Sequence, residues 1–320
     1  METFNTLHQL CSLHSTPGDE EEVFQFLEKT WQEQNLDIIH LGKYAIIAQP
    51  GERRKTDTIL LVAHADSPGF TVSSIQSATE LEVLVLGGIH PEETDLQLKL
   101  PNGERILAHL HAPDENWTRS MPLKVTLSKS CTTVQKGDRL CWAPRWEKDE
   151  IGNIHSPFLD NRIACALIAD WYRFYSHLLP SYNVVLAATA MEEINGFGAN
   201  VLARHVQADL AIALDVTYEN EKQEVRMGQG PVITLSDASV ILSPLERDKL
   251  LASHIPLQTE VYNTSGTDAR AFPVLGNTLP VIALLLATRG NHSPLESIST
   301  NDLIHWPTAI ATLAECLLKR

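Results

Sequence analysis

The 320-residue chain reads as an α/β fold: a central mixed sheet covered by helices, with a small all-β, barrel-like domain inserted into it. Three observations lead there. Strand-like and helical runs alternate from residue 158 onward, as in an open sheet flanked by helices. The stretch 67–157 shows period-two alternation and turn signals with no convincing helical pattern. Hydrophobic residues at 43% against charged residues at 20% are the balance of a folded globular chain. The expected domains are residues 1–66 plus 158–320 for the α/β part and 67–157 for the insertion, the latter suited to oligomer contacts and substrate access.

The elements follow in order. Phe4, Leu7, Leu10 and Cys11 recur at helical spacing until Ser15-Thr16-Pro17-Gly18 breaks the pattern. Acidic residues from Asp19 to Glu22 open a second helix with Val23, Phe24, Leu27 and Trp31 on one face. Strand runs follow at 36–41, 45–48 and 58–63. In the insertion, alternation marks 81–85 and 96–100, Pro101-Asn102-Gly103 is a turn, and 106–111, 123–127 and 139–142 are further strands. Ile163, Ala166, Leu167 and Phe174 then predict one long helix, and 184–188 a buried strand. A helix through Ala199 to Val206 precedes a strand at 210–214. Ser243-Pro244-Leu245-Glu246 combines a capping box with proline at the first helical position. A strand at 281–286 precedes a closing helix that kinks at, or starts near, Pro307.

Charge and cysteine usage narrow the function classes. Lys+Arg 25 against Asp+Glu 40 gives a net charge of −15, which repels phosphate backbones and anionic lipid surfaces, so neither nucleic acid nor membrane is an expected partner. No apolar run approaches a membrane span, and the opening residues lack the pattern of a signal peptide. Five scattered cysteines without a CxxC pair argue for free thiols in a reducing cytoplasm.

The chemistry lies where predicted strands end. The strand at 58–63 runs into His64-Ala65-Asp66, that at 184–188 toward Met191-Glu192-Glu193, that at 210–214 into Asp215, and that at 281–286 toward Arg289-Gly290-Asn291-His292. Open α/β sheets bind ligands at the carboxyl ends of their strands. Taken singly, His64 could be a polar loop residue and Asp160 a helix cap. Together, acids and imidazoles at four strand ends would be costly neighbours without a cation. His64 and Asp66 share one side of an extended chain, a spacing that lets a carboxylate hold one imidazole nitrogen while the other faces a metal. Glu192 and Glu193, if extended, face apart, so one can bind a metal while the other addresses water.

These residues resemble the cytosolic dinuclear-metal aminopeptidases of the glutamyl and tetrahedral aminopeptidase type, some members of which carry an endoglucanase label. The resemblance runs through Ala63-His64-Ala65-Asp66 with Gly69-Phe70, Leu159-Asp160-Asn161-Arg162, Glu192-Glu193 and Ala213-Leu214-Asp215-Val216. It continues through Gly230-Pro231-Val232-Ile233, Gly266-Thr267-Asp268-Ala269, and Arg289 with His292-Ser293-Pro294-Leu295-Glu296, so that nearly the whole chain is covered. It implies two divalent ions per subunit, zinc first, cobalt or manganese as alternatives. His64, Asp160 and Asp215 would hold one ion, and Asp160, Glu193 and His292 the other, with Asp160 bridging. Asp66 would orient His64, and Glu192 would be the general base acting on a water between the ions. A cis peptide after Asp160, a homo-oligomer and peptide substrates are further implications. Asp268 and Arg289 are candidate substrate contacts.

The chain departs from the family pattern at Ser67-Pro68, Asn161 and Gly290-Asn291. Alternatives to the aminopeptidase are an amidase or deacylase acting on a non-peptide amide, and a catalytically weak structural homologue. A glycoside hydrolase would leave His64 and His292 without a role.

Overall fold

The computed structural model describes residues 2–52, 54–253, 255–263 and 265–318. Helices α1 (Glu2–Leu10) and α2 (Glu21–Gln32) precede strands β1 (Leu36–Leu41), β2 (Ala45–Pro50) and β3 (Thr58–His64). Six strands follow: β4 (Gly69–Ile75), β5 (Glu80–Leu86), β6 (Thr94–Lys99), β7 (Arg105–Leu110), β8 (Leu123–Leu127) and β9 (Arg139–Trp142). Short strands β10 (Glu147–Lys148) and β11 (Asn153–Ser156) lead into α3 (Leu159–Asp170) and β12 (Asn183–Thr189). Then come α4 (Phe197–His205), β13 (Leu210–Tyr218), β14 (Val232–Ser236), α5 (Pro244–Leu251), β15 (Gln258–Val261) and α6 (Ala271–Val274). The chain ends with β16 (Val281–Arg289), β17 (Glu296–Ser299) and α7 (Thr300–Leu318).

The main sheet runs β1-β2-β12-β3-β13-β16-β17-β11-β10, with β14 beside β16 and β15 beside β14. Strands β12, β3, β13 and β16 are parallel, whereas β2 and β17 join them antiparallel, so the sheet is mixed as its pattern predicts. Strand periodicity divides each central strand between two apolar layers. Ile59, Leu61 and Ala63 of β3 pack with α1, α2, α3 and α7, whereas Leu60 and Val62 pack with α4 and α6. Each such leucine or isoleucine contributes about 1.5–3 kcal/mol by leaving water. The layers stop where the apolar residues of the parallel strands stop, which places the polar strand ends in one crevice.

Strands β4-β5-β8-β7-β6-β9 close into an antiparallel barrel. Its interior is filled by Phe70, Val83, Leu98, Leu110, Val125 and Leu140, among others. The alternation along β5 and β6 is the period-two signal visible in the sequence.

Three local expectations need correcting. The long helix ends at Asp170 and passes into a wider turn over Trp171–Tyr175. The final helix does not start near Pro307 but at Thr300, with the proline inside it, because proline costs one backbone bond while the apolar face on either side, Leu303, Trp306 and Ile310, stays buried. Glu192 and Glu193 do not continue the strand: Met191 has φ +58, and a turn follows.

Candidate metal centre

The parallel strands bring the expected residues to one end of the sheet. His64 ends β3, Asp215 lies in β13, Glu192 and Glu193 follow β12, His292 follows β16, and Asp160 sits in the first turn of α3. His64 Nε2 is 3.2 Å from Asp160 Oδ1 and 3.3 Å from Asp215 Oδ1. His292 Nε2 is 3.1 Å from Asp160 Oδ2 and 3.2 Å from Glu193 Oε1. Asp160 therefore turns one carboxylate oxygen to each imidazole. The donor atoms form two groups, His64–Asp160–Asp215 and Asp160–Glu193–His292, each within 4.8 Å.

The residues suit divalent cations. Asp160 Oδ1 and Glu193 Oε1 are buried and accept no hydrogen bond. Carboxylates concentrated away from water need a positive partner, and a mixed nitrogen and oxygen donor set without thiolates matches zinc, cobalt or manganese. The backbone aims them. The Asp160–Asn161 peptide bond is cis, as the resemblance implies. Ser67 Oγ donates to the Asp160 carbonyl at 2.6 Å, and Asn161 Nδ2 donates to the Leu214 carbonyl at 2.8 Å. An aspartate at position 161 could not make the second bond. His292 Nδ1 donates to the Gly88 carbonyl at 3.1 Å, which leaves Nε2 facing the carboxylates. Gly88 lies between β5 and β6, so the barrel reaches the site.

Asp66 meets His64 chiefly through its backbone carbonyl rather than its carboxylate. The nearest acceptor for His64 Nδ1 is the Asp66 carbonyl at 3.0 Å, with the carboxylate at 3.6 Å. The carboxylate itself accepts the N–H groups of Glu192 and Glu193 at 3.0 and 3.1 Å, so it holds the turn that carries both glutamates. Their side chains diverge although the backbone is not extended: Glu193 meets His292, and Glu192 Oε1 lies 3.5 Å from Arg270 Nη2.

Without cations the charges pull against one another. Burial pushes the Glu192 carboxyl well above the usual range; His64 opposes this, and Asp268, Glu193 and Asp215 add to it. Burial raises Glu193 too, against the neighbouring His292. Burial would lower His292, but the Glu193 charge and the close approach of the Asp160 and Glu193 carboxylates hold it well above its ordinary value. Asp160 is the exception: burial would raise it, yet its contacts with both imidazoles hold it below the carboxylate range.

Asp268 lies behind the site. Its Oδ2 accepts the Thr189 hydroxyl, Oδ1 is buried without a partner, and burial pushes the carboxyl up to about 6. Its neighbours Ser265 and Gly266 line a cavity of about 90 Å³ with His64, Glu192, Asp215, Tyr218 and Asn291, and Asp268 does not. Arg289 is also outside this lining, mostly exposed and paired with Glu219. Sequence reasoning assigned no role to Gly88, Glu20 or Glu296. Glu20, read only as helix-start charge, accepts the N–H groups of Gly18 and Met191 at 2.7 and 3.1 Å. Burial and the Asp66 charge push it up to about 8. Glu296 accepts the N–H groups of Asp160 and His292; burial and the Asp160 charge raise its carboxyl, and these bonds pull the other way.

Among the described residues no helix is long and apolar enough to cross a membrane. A family model described as M42 glutamyl aminopeptidase matches residues 127–307. The chain is 23% identical over 347 residues to a glutamyl aminopeptidase of Lactococcus lactis subsp. cremoris, covering 99% of this chain and 97% of that one. It is 26% identical over 275 residues to a lysyl aminopeptidase of Pyrococcus furiosus, covering 77% and 78%. Among solved structures, the Pyrococcus horikoshii TET1 peptidase, described as assembling into a tetrahedron or a large octahedral shell, superposes with TM-score 0.84 at 22% identity over 98% of this chain and 99% of that one.

Proposed function

The chain belongs to the M42 glutamyl aminopeptidase family, and on that premise we propose that it is a dinuclear metal-dependent aminopeptidase removing N-terminal residues from peptides. The observation that carries this reading is the Asp160 carboxylate, with one oxygen toward His64 and the other toward His292. His64, Asp160 and Asp215 would hold one ion, and Asp160, Glu193 and His292 the second, zinc first and cobalt or manganese as alternatives. Bound there, such ions would lower the pKa of a shared water and polarise the scissile carbonyl.

The protein's own groups do the rest. Glu192 belongs to neither ligand group, lines the cavity and has a raised proton affinity, so it accepts the proton of the attacking water and returns it to the leaving amine. Asp66 keeps Glu192 and Glu193 apart in role by fixing both backbone N–H groups. The acidic lining attracts a free α-ammonium, and the small cavity admits the end of a chain rather than its middle, which favours exopeptidase action. Asp268, whose charge adds to that around Glu192, follows the Ser265–Gly266 segment of the lining, and Arg289, outside the lining and paired with Glu219, would meet the substrate beyond its first residue. The same reading places the protein in the cytoplasm, where free thiols persist, as a homo-oligomer with the barrel in subunit contacts.

Elemental analysis beside a panel of leucyl, glutamyl and lysyl anilides tests it. Glu192→Gln should lower kcat by about 10²–10⁴, as loss of a general base does, with both ions retained. Glu193→Gln should lose the second ion, and excess metal should partly restore turnover. If Glu192→Gln leaves turnover unchanged in a protein holding two ions, the mechanism is wrong.

A further inference from the structure

We propose that Glu296 is a positioning residue for the second metal ion, acting as a two-pronged backbone clamp on two of its ligands, Asp160 and His292. The inference rests on the two-ion reading. Glu296 opens β17 and is 1% exposed. Its Oε2 accepts the Asp160 N–H at 2.8 Å and its Oε1 accepts the His292 N–H at 3.1 Å. One side chain thus ties together two ligands 132 positions apart in the chain, and both prongs grip backbone rather than side chain.

The local backbone explains why such a clamp is needed. Asp160 sits at φ −81 and ψ 101 within the first turn of α3, so its N–H has no helical partner. His292 has φ +62, in a tight loop where a Cβ on Gly290 would stand 2.6 Å from the Leu295 carbonyl. Neither residue is held by regular secondary structure, yet their side-chain atoms meet at 3.1 Å. Glu296 supplies the missing constraint on this side of the site, and Asp66 supplies it for Glu193, the third ligand. The first ion's other ligands, His64 and Asp215, lie in β3 and β13, where sheet hydrogen bonds already fix them. The clamp therefore bears on one ion much more than on the other.

Glutamine has nearly the shape of glutamate, but its amide nitrogen is a donor and would face one of the two N–H groups. Glu296→Gln therefore removes one prong and a negative charge while leaving the packing. The test is stepwise removal of zinc from the loaded protein by a graded chelator, with retained metal counted by elemental analysis and the absorption spectrum of the cobalt form recorded alongside. Wild-type protein should release its ions in two steps. Glu296→Gln should release one of the two ions at about 10–100-fold lower chelator, the usual cost of losing a partner that orients a ligand. The other step should shift far less, and the melting temperature of the metal-free protein should hold. Excess zinc should restore kcat while KM stays near wild type. Glu296→Asp keeps the charge and one prong, so its shift should be smaller; it also serves if the glutamine variant does not fold. Superimposable release curves for wild type and both variants would overturn the clamp, as would equal weakening of both steps. Wild-type protein that never holds two ions would overturn the two-ion reading itself, a result distinguishable because it appears before any substitution.

Discussion

The barrel and the crevice at the strand ends bury side chains of opposite kinds. Between residues 69 and 142 the buried residues are apolar or a cysteine, and every charged residue is at least partly exposed. In the α/β part the buried set includes His64, Asp66, Asp160, Asp215, Asp268 and Glu296, all near one end of the sheet. The barrel interior is held by area removed from water. The crevice spends stability on unscreened charge, which a fold tolerates where a ligand offsets it. The two regions touch at a named point: the Gly88 carbonyl of the barrel accepts from His292.

Truncating the barrel core is the largest effect expected of this contrast. Leu98 is fully buried in β6, and Leu98→Ala should cost about 2–5 kcal/mol of stability, the range for a leucine cavity. Denaturant unfolding of the metal-loaded protein measures it. Metal content and kcat well below the melting temperature should stay at wild-type values. A variant that folds yet has lost an ion would show that the barrel interior and the centre are one unit.

The contact between the regions gives a second, smaller effect. A Cβ at Gly88 would stand 2.9 Å from His292 Nδ1, so Gly88→Ala must move the ring or the loop. Affinity for the second ion should fall by about 10-fold or more, with little change in melting temperature. Chelator titration reads it. Unchanged ion retention would mean that the Gly88 contact does not set the His292 geometry.

The contrast also explains what was legible beforehand. Barrel strands such as 81–85 and 123–127 show in the sequence because one face is wetter, and period two survives in the residue types. Strand β17 does not show, because four residues between a tight loop and a helix carry too little periodicity. Four of the five candidate ligands were legible because acids and imidazoles at strand ends are conspicuous; Asp160, at a helix start, came from the resemblance, which also ordered the set. Glu20, Gly88 and Glu296 were not, because they act on backbone N–H groups or through a carbonyl. No residue pattern announces which N–H a folded chain leaves unpaired. The Glu192–Glu193 turn escaped for a related reason: a positive φ at methionine has no compositional signal.

The smallest effect concerns the ion pairs that join the two regions away from the site. Lys99 in β6 lies 2.7 Å from Asp19 and 3.4 Å from Glu22, and Arg105 in β7 also pairs with Glu22. His14 completes the group through Nε2, 3.2 Å from Asp19, and through its N–H, 2.9 Å from Glu22. Burial would raise the Asp19 carboxyl, but hydrogen bonds from His14 and Lys99 hold it below its ordinary value of 3.8. Burial likewise opposes, and bonds from the His14 N–H and Arg105 outweigh it, so Glu22 lies below 4.5. The sign follows from proton counting. Carboxyls whose folded values are depressed stabilise the fold above their ordinary values, and that contribution disappears as pH falls through the folded ones. Lys99→Met keeps most of the apolar stem and removes the charge. It should cost about 1 kcal/mol at neutral pH, the scale of a partly exposed pair, and much less at a pH below the depressed folded values of both carboxyls, where they are neutral in either state. Urea unfolding at the two pH values measures the difference, and a cycle with Glu22→Gln isolates the pair. Equal losses at both pH values would mean that the Lys99 stem holds the barrel by packing, so that the two regions are joined, like the barrel itself, by apolar contact.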